Sequence, residues 1–254
     1  MLIETLSVFP EMFEPVMSTS ILGRARTSGL FDFKAHDLRD WTHDRHRTVD
    51  DEPYGGGAGM LMKVGPISEA LEDLSVREGL PRPHVVFFTP CGETFDQHVA
   101  ERLATKERLL FVCGRYEGID ERAYAYADER LSIGDYVLTG GELAAMVVAD
   151  AVVRLIPGAL GDDMSSVDES FATGEGGGLL EYAQYTRPAD FAGQGVPDVL
   201  LSGDHAKVDA WRRRNAIERT CRWRPDLISS AQLTDEERSY AESLLTCTDT
   251  ASEE

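Results

Sequence analysis

The sequence predicts an α/β fold with a ligand site at the carboxyl edge of a parallel sheet. Three stretches predict it. A short apolar strand, Leu131–Ile133, runs into Gly134-Asp135, and Gly140-Gly141 opens a helix just beyond. The two glycine points bracket Tyr136-Val137-Leu138. Phe111-Val112-Cys113 runs in the same way into Gly114-Arg115-Tyr116-Glu117-Gly118, and Val85–Thr89 runs into Pro90-Cys91-Gly92. Glycine lets backbone pass close to a ligand and takes positive φ without steric penalty. Each strand therefore ends in a loop whose N–H and C=O groups can face one bound molecule. Open α/β sheets hold their ligands at that edge.

The elements follow in order. Leu2–Phe9 alternates and stops at Pro10, which suits the first position of a helix through Met17. A helix over Ser20–Thr27 ends at Gly29, a normal position for a terminating glycine. Phe31–Leu38 reads as a strand. The stretch from Arg39 to Asp51 has no period and leads into Tyr54-Gly55-Gly56-Gly57-Ala58-Gly59-Met60. A polar, glycine-ended loop of that length inside a compact domain is usually functional or disordered. Helices are expected over Pro66–Leu74, Phe95–Ala104, Ile119–Ala127 and Gly141–Leu155, and a strand over Leu109–Cys113. After Pro157-Gly158 the texture turns to Gly, Asp, Glu and Ser. The expected organisation is a first domain over 1–158, a flexible linker over 159–180 and a small helical domain over 181–254. Helical period returns in Asp204–Arg222 and Thr234–Leu245.

Composition narrows the class. The 254 residues carry a formal net charge of −20, which by itself argues against a nucleic-acid partner. The charge is uneven, however: seven basic residues lie between Lys207 and Arg224, against only Asp209 and Glu218. Over a Debye length of about 8 Å the local patch governs contact. No apolar run approaches the roughly 20 residues of a membrane span, and the amino terminus lacks a secretory pattern. Cys91, Cys113, Cys221 and Cys247 are scattered, as expected of reduced thiols in a cytoplasmic protein.

Other motifs weigh less. Neither G-x-G-x-x-G nor G-x-x-x-x-G-K-[ST] is present. His43 and His46 lie three apart but have no third ligand nearby, so no metal site is expected. Cys91 and Cys113 lack an arguable histidine partner for nucleophilic work. Trp211 and Trp223, flanked by arginines, fit base stacking and core packing equally well.

Longer stretches resemble one family. DLRDWTHDRHRTVDDEPYGGGAGMLM (Asp37–Met62), CGRYEGID (Cys113–Asp120), SIGDYVLTGGELAAM (Ser132–Met146), RLIPG (Arg154–Gly158), YTRP (Tyr185–Pro188) and LLSGDHAKVDAWRR (Leu200–Arg213) are similar to the bacterial tRNA (guanine-N1)-methyltransferases of the SPOUT class. The resemblance runs over nearly the whole chain. It implies a parallel-sheet domain closed by a deep trefoil knot, which elementary topology would not suggest, and a small all-helical C-terminal domain. It also implies S-adenosylmethionine bound in a bent form. Its binding residues would be Thr89, Pro90 and Gly92; Gly114, Tyr116, Glu117 and Gly118; and Ser132, Ile133, Gly134, Asp135, Tyr136, Val137, Leu138, Gly140 and Gly141. The implied partners are a second copy of the chain and the anticodon stem-loop of tRNA, gripped through the run Lys207–Arg224. Magnesium has been linked to methyl transfer in the family, and Glu117 matches the residue that would organise it.

The implied reaction is methyl transfer to N1 of the guanosine immediately 3′ of the anticodon. N1 must lose a proton while negative charge spreads to O6, so the site needs a base near N1 and a cation near O6. Arg154 matches the family's cation. The family base is an aspartate directly before a Ser-Phe or Ser-His pair, but here Val167-Asp168-Glu169-Ser170-Phe171 puts Glu169 there. Either Glu169 is the base, one methylene longer, or a local shift brings in Asp168; the Ser-Phe pair favours Glu169. The alternative function is a catalytically silent RNA-binding protein of the same fold.

Overall fold

The computed structural model describes residues 1–161, 169–172 and 177–249. The chain divides into two compact units, Met1–Asp163 and Met164–Glu254. Asp168 and parts of the expected linker lie outside the described residues.

In chain order the first unit carries β1 (Leu2–Ser7), α1 (Glu14–Met17), α2 (Ser20–Thr27), β2 (Asp32–Asp37), the short strands β3 (Asp50–Asp51) and β4 (Leu61–Met62), and α3 (Val64–Ser75). Then come β5 (His84–Thr94), α4 (Gln97–Ala104), β6 (Arg108–Val112), β7 (Glu129–Ser132) and α5 (Glu142–Val153). Five strands form one sheet in the order β2-β1-β6-β5-β7, and every pairing is parallel. A parallel sheet is covered on both faces, so its strands read as continuous apolar runs. Alternate residues serve opposite cores. Val86, Leu109 and Phe111 pack with α2, α4 and α5. Val85, Phe87, Leu110 and Val112 pack with α3 and with Leu38, Ile119 and Ala123. Burying Phe87 and Phe111 completely contributes about 1.5–3 kcal/mol each.

Two local readings change. The helix expected from Pro10 to Met17 breaks into a 3-10 turn, Pro10–Met12, followed by α1. Pro15 has no N–H to donate to Glu11, so the helix restarts with Pro15 in its first turn, where that loss is harmless. The helix expected over Ile119–Ala127 is a 3-10 turn, Glu121–Tyr126, capped by the Asp120 carboxylate, which accepts from Arg122 N at 3.0 Å.

A buried ion cluster ties the sheet to α3. Arg108 Nε donates to Glu4 Oε2 at 2.6 Å, while its other nitrogens donate to the Pro81 and Leu74 carbonyls at 2.8 Å each. His36 Nε2 donates to Glu4 Oε1 at 2.8 Å. Burial alone would raise the Glu4 carboxyl, but hydrogen bonds from His36 and Arg108 outweigh it and hold the group below its ordinary value. Removing one partner of a buried pair strands the other. Glu4→Gln is therefore expected to cost about 3–5 kcal/mol in urea unfolding at neutral pH. A depressed carboxyl contributes stability above its unfolded value and loses it as pH falls through the folded one. The difference between parent and Glu4→Gln should accordingly shrink on acidification below the ordinary carboxylate range. A gap that stays constant with pH would mean the charge of Glu4 is not what stabilises the cluster.

The second unit carries the short hairpin β8 (Asp190–Phe191) and β9 (Gln194–Gly195), then α6 (Asp198–Leu201), α7 (His205–Trp223) and α8 (Asp235–Asp249). The hairpin is an addition to the all-helical expectation; Ala192 and Gly193 both take positive φ, as a two-residue hairpin turn requires. Leu179, Ile217, Cys221, Ile228 and Ala241 form its core. Thr234 and Glu237 cap α8 reciprocally: Thr234 N donates to Glu237 Oε2 at 2.9 Å and Glu237 N donates to Thr234 Oγ1 at 3.2 Å.

Candidate functional site

The strand order puts the carboxyl ends of β6, β5 and β7 side by side, so the three glycine loops meet. The first is an excursion within β5 rather than its end. Phe88 and Glu93 both pair with Leu131, and Thr89–Gly92 bulges out between them. Gly92 lets the strand rejoin β7, because a Cβ there would stand 2.5 Å from Leu131 N and C. The strand therefore runs on to Thr94, past the end at Thr89 that its apolar pattern suggested.

The second loop, after β6, is held from two sides. Gly141 N donates to the Gly114 carbonyl at 2.8 Å. Glu117 N donates to Met60 O, and Gly118 O accepts from Met62 N, so the glycine-rich 55–62 stretch is fastened to it. Tyr116, at its tip, takes φ +61, a strained value for an aromatic residue. Partial burial and the Asp50 carboxylate push the Tyr116 phenol above its ordinary value.

The third loop follows β7 and returns past β5 to the end of β6, where Gly140 bridges Arg115. One ion pair underlies this return. Arg115 Nε lies 2.9 Å from Glu142 Oε2, and Ser7 Oγ donates to Glu142 Oε1 at 2.7 Å. The Arg115 guanidinium also donates to the Thr139 carbonyl at 3.3 Å and sits 4.6 Å from the Phe9 ring centre. The pair occupies the space a side chain at 140 would need: a Cβ on Gly140 would meet Arg115 Nε at 2.3 Å and Glu142 Oε2 at 2.5 Å. Cys113, fully buried beneath, has its thiol pushed well up by burial and then by Glu142, which excludes it as a nucleophile.

Between the loops lies a cleft of about 200 Å³, partly open to solvent. Of the sixteen residues expected to bind the cofactor, all line the cleft except Gly92 and Asp135. Gly92 serves strand closure instead. The sequence reading missed Arg115 and Thr139, which lie inside the quoted loops, and Tyr124, whose phenol bonds Thr89 from the turn below. Phe88, Leu131 and Ala144 add an apolar floor. The cleft thus offers apolar side chains, backbone polar groups from its glycine loops, the Arg115 cation and the Glu117 carboxylate.

A family model described as tRNA (Guanine-1)-methyltransferase TrmD matches residues 1–230. The chain belongs to that family. A relative from Geotalea uraniireducens, named tRNA (guanine-N(1)-)-methyltransferase, is 52% identical over 242 residues, which cover 95% of this chain and 96% of the relative. Relatives of the same name from Dictyoglomus turgidum and Halalkalibacterium halodurans are 48% and 49% identical over 95% and 96% of this chain, and 96% and 98% of their own lengths.

In this member of the tRNA (guanine-1)-methyltransferase family, Arg154 is not among the residues lining the cleft. Arg154 caps the C-terminus of α5, its N–H donating to Asp150 O at 3.2 Å, and it is half-buried. Glu169 belongs to the second unit, where its carbonyl accepts from Ala172 N at 3.2 Å. His43 bonds Glu69 at 2.8 Å, and among the described residues no group of three His, Cys, Asp or Glu converges as a metal site. Trp41 packs beside the second core with its ring edge to His36.

Proposed function

We propose that this chain methylates N1 of the guanosine immediately 3′ of the tRNA anticodon, using S-adenosylmethionine. The observation that carries the reading is the cleft built by three glycine loops at the carboxyl edge of the sheet, in a chain of this family. The residues fit the cofactor: Phe88, Leu131 and Ala144 suit an adenine ring, the glycine backbones suit its edges and the ribose, and Arg115 and Glu117 suit the amino-acid end. When bound, S-adenosylmethionine supplies an electrophilic methyl group on a sulfonium. Glu169 or Asp168 takes the N1 proton as the guanine becomes nucleophilic. Arg154 stabilises the charge that spreads to O6; a cation aimed at developing charge stabilises the transition state more than the ground state.

The finer reading is that the first unit is a knotted SPOUT domain acting as a homodimer in the cytoplasm. The return of the third loop past β5 to β6 supports a threaded topology. Support for a second copy comes from α5, which leaves Leu143 and Val147 each 50% exposed one helical turn apart. No described helix is long and apolar enough to cross a membrane. The linker over 159–180 would act as a lid, and Glu117 would organise any magnesium.

The test is transfer of labelled methyl to an unmodified tRNA transcript with guanosine at the target and preceding positions. Label incorporated at the target guanosine supports the enzyme. A chain that binds the transcript and transfers nothing is the silent RNA-binding protein instead.

A further inference from the structure

We propose that Trp223 and Phe171 form a stacking platform for an unstacked base of the substrate RNA, a reading that rests on the tRNA function above. The basic run on α7 is less available than its sequence suggests. Lys207 pairs with Asp204, Arg212 with Asp209, Arg213 with Glu237 and Arg214 with Glu218, while Arg219 donates to the Glu181 carbonyl. The Arg213 hydrogen bond holds the Glu237 carboxyl at about 2, so that pair stays charged across any working pH. Charge alone therefore leaves little of this face to grip a polyanion.

What the end of α7 does present is rings. Trp223 is its last residue and is 61% exposed, past a core that closes at the buried Thr220 and Cys221. Arg222 lies over the indole, 4.8 Å from its centre, and among the described residues no carboxylate pairs with Arg222. Arg224 follows, fixed by Asp226 at 2.7 Å, with its guanidinium 5.8 Å from the Phe171 ring centre. Phe171 is 41% exposed and takes φ +69, a left-handed conformation that bulky side chains rarely adopt. Its turn is pinned where Phe171 N donates to Leu179 O at 3.0 Å and Ser170 Oγ accepts from Glu181 N at 2.9 Å.

Cation and ring therefore alternate: Arg222, Trp223, Arg224, Phe171. Exposed rings interleaved with arginines suit the π-face of a base beside a phosphate, and base–aromatic stacking tolerates any base. Phe171 is also two residues from Glu169, so a base held on this platform would bear on the segment that carries the proposed proton acceptor.

Binding of a tRNA transcript to the full-length chain at fixed salt tests the platform. Trp223→Ala is expected to weaken binding roughly 5- to 150-fold, and Trp223→Phe, which keeps a ring, to stay within about threefold of the parent. The salt slope should be unchanged by Trp223→Ala and should fall by about one with Arg222→Gln. Binding by Trp223→Ala within twofold of the parent overturns the proposal, as does a change of oligomeric state on that substitution, which would make the patch a contact between copies. A parent that binds tRNA without transferring methyl sinks the enzymatic reading and leaves the platform standing. A parent that binds no tRNA sinks both.

Discussion

Glu169→Gln is expected to lower methyl transfer to an unmodified tRNA transcript by about 10²–10⁴-fold, the usual worth of a positioned general base, while Asp168→Asn stays within a few-fold of the parent. Guanine N1 becomes nucleophilic only as its proton leaves, and an amide cannot accept that proton. Glu169 is preferred over Asp168 as the proposed base because it directly precedes the Ser170-Phe171 pair, the position the family base holds. Arg154→Ala should lose activity on a similar scale while binding S-adenosylmethionine within about twofold of the parent, since Arg154 is not among the residues lining the cleft. Activity lost in Asp168→Asn and kept in Glu169→Gln would reverse the base assignment. Loss of cofactor binding in Arg154→Ala would make that arginine a support for α5 instead of a partner for O6.

Sequence reading reached the strands because a sheet buried on both faces writes itself as apolar runs. Val85–Thr89 and Leu109–Cys113 needed no long-range information, and neither did the helix Ser20–Thr27 with Gly29 (φ +73) behind it. The loops were legible for a similar reason: glycine pairs mark close backbone approach wherever they fall. Pairings between distant residues left no such trace. Glu4 and Arg108 are 104 positions apart, and neither one's local sequence pairs it with the other, yet both are buried and hydrogen-bonded to each other. The continuation of β5 beyond Gly92 depends on Leu131 receiving two residues of one strand, which no local pattern encodes. Tyr124 enters the cleft from a turn whose own sequence asks only for a helix. The basic run illustrates the opposite error, since its charge and the acids Asp209 and Glu218 within it were plain in the sequence, and the pairing of Lys207 with Asp204 and of Arg213 with the distant Glu237 was not.

Glu142→Gln is the substitution expected to separate support of the cleft from direct contact with its ligand. Glu142 is fully buried and does not line the cleft, whereas Arg115 does. The amide would keep the Ser7 hydrogen bond and leave the Arg115 cation with no opposite charge, a loss of about 3–5 kcal/mol for a buried pair. Arg115 would then no longer be held against the Thr139 carbonyl, and the third loop would lose its fixed return to β6. The expected result is a lower urea midpoint together with S-adenosylmethionine binding weakened about tenfold or more, the equivalent of at least ~1.4 kcal/mol. A double-mutant cycle with Arg115→Met should show strong coupling in both measurements, because each single change already strands the other group. Cofactor affinity within twofold of the parent, despite lost stability, would mean that the pair only fills the core under α5. The loops would then be shaped by their glycines alone. Gly140→Ala provides the complementary arm: its Cβ would displace Arg115 and Glu142 without removing a charge. It should reproduce the cofactor defect if the position of the pair matters, and not otherwise.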